Sequence, residues 1–89
     1  MAYKVIWNEG VINELKEMDR KVASRIANKV ENHLVKSPTD LGVALRGQFA
    51  GLYRYRVGKW RVIYSIEPRT ETILVLRVEH RDRVYDWEY

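Results

Sequence analysis

No cysteine occurs anywhere in the 89 residues, so neither a disulfide framework nor a thiolate site is available, and nothing points to an oxidising compartment. No apolar run approaches the length that spans a bilayer. The opening Met1-Ala2-Tyr3-Lys4-Val5-Ile6-Trp7 has neither the apolar core nor the cleavage site of a signal peptide. A cytoplasmic protein with no membrane attachment is expected. Repeats, low-complexity tracts and linkers are also missing, and the length leaves room for one modest core, so residues 1–89 should form a single domain. His, Cys and Asp never gather at metal-ligand spacing and no glycine-rich nucleotide loop is present, so no metal or other cofactor is implied. The last absence is local. Between Ala44 and Ile66 there is no carboxylate, while Arg46, Arg54, Arg56, Lys59 and Arg61 all fall there.

What is present is enough to fold: 46% hydrophobic residues and three tryptophans belong to a globule, not to a disordered chain. The formal charge of +4 is modest. Its concentration in one segment says more, because a local cationic field attracts phosphates and is screened by salt. The plain alternative is a solvated basic face.

Leu52 to Ile66 organises the rest. Two runs of alternating β-branched, aromatic and basic residues meet at Gly58-Lys59, which predicts a hairpin. Strand parity puts Tyr53, Tyr55 and Val57 on one face with Trp60, Val62, Tyr64 and Ile66. Leu52, Arg54 and Arg56 fall on the other with Arg61, Ile63 and Ser65. Upstream, Tyr3 to Trp7 reads as a short strand. Asn8 and Asp19 are N-cap candidates for two helices joined by a tight turn, with apolar stripes Val11, Ile12, Leu15, Met18 and Val22, Ala23, Ile26, Ala27, Val30, Leu34. The second helix runs into Lys36 and stops at Ser37-Pro38, with a short helical turn near Leu41. Thr72 to His80 forms a last strand. Unbroken alternation there places Leu74, Leu76 and Val78 on the inner face, and Arg77, Glu79 and Arg81 with Ile73 and Val75.

The order β-α-α-β-β-β predicts an α+β fold, with the N-terminal strand and a helical hairpin packed on one face of an antiparallel sheet. The opposite face, carrying Arg54, Arg56, Arg61, Arg77 and Arg81, is left open.

The ordered set Leu45-Arg46-Gly47, Gly51-Leu52-Tyr53-Arg54-Tyr55-Arg56-Val57-Gly58-Lys59-Trp60-Arg61-Val62-Ile63-Tyr64, Val78-Glu79-His80-Arg81 and Val84-Tyr85 resembles the RelE/ParE superfamily of type II toxins, most of all its RelE branch. The likeness covers nearly the whole chain. It implies a RelE-like fold and a toxin that enters the A site of the 70S ribosome, cleaves mRNA there without a metal, and is held inactive by a cognate antitoxin, RelB-like or other. Carried over by position, Arg61 and Arg81 match the phosphate and transition-state arginines. Arg54 and Arg56 match the basic pair on the preceding strand, and Tyr85 matches the tyrosine that contacts the base. Arg61, Arg81, Arg54 and Tyr85 are thus the expected catalytic set, and Arg56, Lys59, Arg46 and Arg77 the expected RNA contacts.

One departure matters. Where many relatives carry lysines at the paired strand positions, this chain has Arg54 and Arg56, and arginine is a poor proton acceptor near neutrality. His80 has the right chemistry for a base, but its parity with Leu76 and Val78 makes it a structural residue. His33 reads as a helix C-terminal residue. Arg77 and Glu79 are placed to form a salt bridge. Two further classes stay open: a ParE-like DNA gyrase inhibitor acting by binding, and an inactive nucleic-acid-binding relative.

Overall fold

The computed structural model describes residues 2–83. Strand β1 (Lys4–Trp7) alternates as the sequence does, with Tyr3, Val5 and Trp7 turned to the core and Lys4 and Ile6 turned away. Helix α1 (Glu9–Glu17) starts where the Asn8 side chain accepts the Gly10 N–H at 2.8 Å. Helix α2 (Arg20–Asn32) starts where Asp19 accepts the Lys21 N–H at the same distance. Such caps satisfy donors that a helix start leaves open and contribute about 1 kcal/mol each. The predicted helix to Lys36 differs in its last turn: α2 ends at Asn32, and Leu34–Lys36 tighten into a 3-10 turn that buries both Leu34 and Val35. Pro38 stops this run and also begins the short α3 (Pro38–Leu41), since proline tolerates the first helical position.

Five strands follow the order β1-β5-β4-β3-β2. The hairpin is β3 (Leu52–Val57) and β4 (Trp60–Glu67), closed by a two-residue turn in which Gly58 has φ +59°, the conformation that this tight turn requires. A two-residue β2 (Val43–Ala44) extends one edge, and β5 (Thr72–His80) pairs antiparallel with β4. Only the β1–β5 pair is parallel. The helices cover one face: Val11, Ile26, Val30, Leu34 and Val35 pack with Tyr55, Val57, Val62, Tyr64, Ile73, Val75 and Val78.

Unbroken alternation in β5 is corrected by the structure. Ile63 pairs with Arg77 but Tyr64 pairs with Val75, so Leu76 is an extra residue in a β-bulge. Ile73 and Val75 are therefore fully buried in the core, and Leu74 and Leu76 lie outside it. A one-residue slip exchanges faces, so the bulge lets the lower half of β5 bury its β-branched residues and the upper half still turn Val78 inward and Arg77 and Glu79 outward.

Tyr64 ties β4 to α3. Its fully buried hydroxyl donates to the Pro38 carbonyl at 2.6 Å. Burial, and after it the neighbouring Tyr53 and Tyr55 hydroxyls, push its pKa above the ordinary 10.0. A proton held more tightly in the folded chain contributes stability that is complete below about pH 10 and is lost as the pH rises above it. Urea melts taken across that range should show a clear alkaline loss in the native chain and a smaller one in Tyr64→Phe.

Candidate nucleic-acid interface

The outer face of the sheet is built in rows set by register. The lowest runs Ile6, Leu74, Ser65, Leu52 across β1, β5, β4 and β3. Above it lie Arg77, Ile63, Arg54 and Val43, and above those Glu79, Arg61 and Arg56. This face is less bare than expected. Ile63 is fully buried between two cross-strand arginines, whose aliphatic stems can cover it, and Leu45, backbone-bonded to Leu52 at 2.9 Å, is buried too.

The top row gathers the charges. Arg56 and Arg61 stand directly opposite each other, and like charges so placed destabilise a sheet. Beside them the Arg81 N–H donates to the Lys59 carbonyl at 2.8 Å, which folds the end of β5 against the hairpin turn. Arg56, Gly58, Lys59, Arg61 and Arg81 line one cleft of about 120 Å³. Arg81 makes only a loose, exposed contact with Asp82 (Nε to Oδ1, 3.7 Å), and Arg56 forms no ion pair with any described carboxylate. Four cationic side chains around a space that size can attract and hold an anion.

Glu79 is the residue that sequence reasoning undervalued. It is the buried charged group among the described residues, 6% exposed, and it faces Arg61 across the strands. Arg77 pairs with it at 3.2 Å (Nη2 to Oε2), as the spacing predicted. The visible signal was that Arg77 and Glu79 share one face of one strand. Their register against Arg61 needed the bulge.

The expected site residues therefore separate. Arg56, Lys59, Arg61 and Arg81 come together. Arg54 lies one row below, and Arg77 lies in that row, engaged by Glu79. Arg46 is an exposed residue in the connection before β3, outside the cleft lining. Tyr85, with Trp87 and Tyr89, lies outside the described residues. His80 faces inward as parity required, edge-on to Trp60 with ring centroids 5.0 Å apart. Its Nδ1 lies 3.2 Å from the Asp82 backbone nitrogen and 3.5 Å from an Asp82 carboxylate oxygen, so that edge of the ring is engaged by the turn after β5. His33 caps α2 and lies 2.6 Å from the Tyr55 hydroxyl, a buried phenol whose pKa is raised by burial. Among the described residues no three His, Cys, Asp or Glu side chains gather into a metal-binding set. No described helix is long and apolar enough to cross a membrane.

Comparison with known proteins agrees with the fold. Toxin RelG of Mycobacterium tuberculosis is 27% identical over 85 residues, covering 96% of this chain and 98% of its own length. Toxin RelE of the same organism is 26% identical over 83 residues, covering 93% and 86%. The toxin–antitoxin complex RelBE2 of that organism contains a chain that superposes with a TM-score of 0.86 at 26% identity, covering 91% of this chain and 100% of the other. Residues 5–85 match the family described as ParE toxin of type II toxin-antitoxin system, parDE, and the chain accordingly belongs to the RelE/ParE superfamily of type II toxins.

Proposed function

We propose that this toxin is a RelE-like endoribonuclease that cuts mRNA in the ribosomal A site, in the cytoplasm, by attack of a ribose 2′-hydroxyl on the adjacent phosphate. The observation that carries the reading is the cleft lined by Arg56, Lys59, Arg61 and Arg81, in which Arg56 and Arg61 stand opposed and Arg81 is held beside them, a concentration of cations that a phosphate would relieve. In the reaction a bond forms from the 2′-oxygen to phosphorus and the bond from phosphorus to the 5′-oxygen breaks. The 2′-hydroxyl proton leaves to an acceptor, and the 5′-oxygen takes one up. Charge on the phosphoryl oxygens rises at the transition state. Guanidinium forks already in place stabilise that charge without reorganising, and one lost donor lowers the rate by roughly a hundred- to a thousandfold. Arg61 and Arg81 take the phosphoryl oxygens in this scheme, with Arg54, Arg56 and Lys59 holding the flanking backbone. Tyr85 would stack on the base and keep the 2′-hydroxyl in line. Arginine is a poor proton acceptor, so water or a ribosomal group serves as base, and cleavage by the isolated protein should be weak.

An acidic, amphipathic antitoxin fits the same surface. Ile6 on β1 and Val43 on β2 are 56% and 52% exposed, both on the outer face at opposite sheet edges, flanking the arginine rows. A segment crossing the sheet would cover both and neutralise the cations between them. RelBE2 of Mycobacterium tuberculosis is a toxin–antitoxin complex, and the archaeal RelE–RelB assembly from Pyrococcus horikoshii is likewise a complex of two such partners.

The ParE name of the matched family favours a second reading, inhibition of DNA gyrase by binding. Short induction in cells separates the two. Transcripts cut within codons, without DNA breaks, are expected; DNA breaks with intact transcripts would establish the gyrase reading instead.

A further inference from the structure

Helix α2 turns Ile26 and Val30 to the core and presents to solvent a shallow groove whose lining includes Arg20, Lys21, Arg25, Lys29 and the amides of Asn28 and Asn32. Among the described residues no carboxylate lines it. Lys21, Arg25 and Lys29 follow one another at four-residue spacing, a ladder of like charges that weakens a helix. None of the three, nor Arg20, forms an ion pair with a described carboxylate. The neighbouring α1 carries exposed acids at Glu9, Glu14 and Glu17, while the one acid within α2, Glu31, lies outside the groove lining and accepts from the Trp7 indole. Acids outnumber bases on α1 and bases outnumber acids on α2, where a more even alternation would have stabilised both. The ladder also reaches the cleft: the Arg25 guanidinium lies 3.9 Å from the point a side chain on Gly58 would occupy, and Gly58 and Lys59 form the turn that lines the cleft.

We propose that α2 is a second RNA-binding surface, which grips the backbone of double-helical RNA while the arginine cleft holds the strand to be cut. Ladder residues recur about every 6 Å along the helix axis, close to one phosphate step of a nucleic-acid strand. Single strands are held by aromatic side chains on which bases stack. Among the described residues the one ring that lines this groove is His33, already engaged by Tyr55. Rows of cations without stacking platforms suit the regular backbone of a duplex, which proteins recognise through phosphates and shape.

The choice of RNA rests on the function proposed above, but the test does not require cleavage. Binding of the full chain is measured against an RNA duplex of about 16 base pairs and a single strand of equal length, over a salt series. The variant Lys21→Gln/Arg25→Gln/Lys29→Gln should bind the duplex about tenfold or more weakly at physiological salt. Its slope of log affinity against log salt should be shallower by about 2, with single-strand affinity within about twofold of native. Arg61→Ala should show the reverse pattern. The melting temperature should hold or rise, because like charges are being removed from an exposed helix. Arg25→Gln alone repeats the test with about a third of the change in slope. Unchanged duplex affinity and slope, equal losses on both RNAs, or a loss confined to the antitoxin would each overturn the proposal. Intact transcripts in cells together with lost duplex binding would instead count against the nuclease reading alone.

Discussion

Arg61→Ala is expected to lower cleavage of ribosome-bound mRNA by about two to three orders of magnitude, and Arg56→Gln to lower it by about tenfold or more. Their effects on stability should have opposite signs. Arg56 is exposed and stands directly across from Arg61, so its removal relieves a repulsion of about 0.2 to 1 kcal/mol. Arg61 stands between Arg56 and the buried Glu79, so its removal takes a cation from beside a buried carboxylate and should lower the melting temperature. Chemical melts of both variants beside a translation-coupled cleavage assay check all four signs. A basic surface kept only for solubility would leave cleavage unchanged in both. Arg77→Ala should resemble Arg61→Ala in stability, because it too strips a partner from Glu79.

Gly42→Ala is expected to destabilise the protein by about 2 to 6 kcal/mol. Gly42 has an ordinary negative φ, so the constraint is space: an added methyl would stand 1.8 Å from the Tyr64 hydroxyl oxygen and 2.9 Å from its ring. Neither can give way cheaply, since that hydroxyl is bonded to the Pro38 carbonyl in the core. Overpacking costs about 1 to 3 kcal/mol and a stranded buried carbonyl a similar amount. Their sum takes up much of the roughly 5 to 15 kcal/mol that holds a domain of this size together. Circular dichroism and thermal melting would register it directly. The double variant Gly42→Ala/Tyr64→Phe should recover part of the loss, because removing the hydroxyl frees the space the methyl needs.

How much of this was visible in the sequence depends on which signal each element carries. The hairpin was legible because tyrosines and valines alternate with arginines about a glycine, so parity alone put Arg54, Arg56 and Arg61 on one face. The helix starts were legible because Asn8 and Asp19 are capping residues in the right place. The lower half of β5 was not. Ile73, Leu74, Val75 and Leu76 are all aliphatic, so either parity satisfies the pattern and only packing against α1 and α2 selects the bulge. The parallel pairing of β1 with β5 also left no mark, since it joins residues nearly seventy positions apart. Glu79 followed from neither parity nor composition: a carboxylate that faces outward by alternation would ordinarily be solvated, and its burial comes from the arginines gathered around it. The ladder on α2 was present in the sequence as plain four-residue spacing, but its continuity with the cleft depends on where α2 crosses the β3–β4 turn.

The proposed cleavage requires a scissile phosphate held among Arg56, Arg61 and Arg81 while the neighbouring 2′-oxygen attacks it. End-group analysis of mRNA cut on purified, programmed ribosomes tests that step most directly. Upstream fragments ending in a 2′,3′-cyclic phosphate or its 3′-phosphate product, with downstream fragments beginning in a 5′-hydroxyl, are predicted, and Arg61→Ala should abolish them. Fragments with 3′-hydroxyl and 5′-phosphate ends, or the same ends produced undiminished by Arg61→Ala, would contradict it.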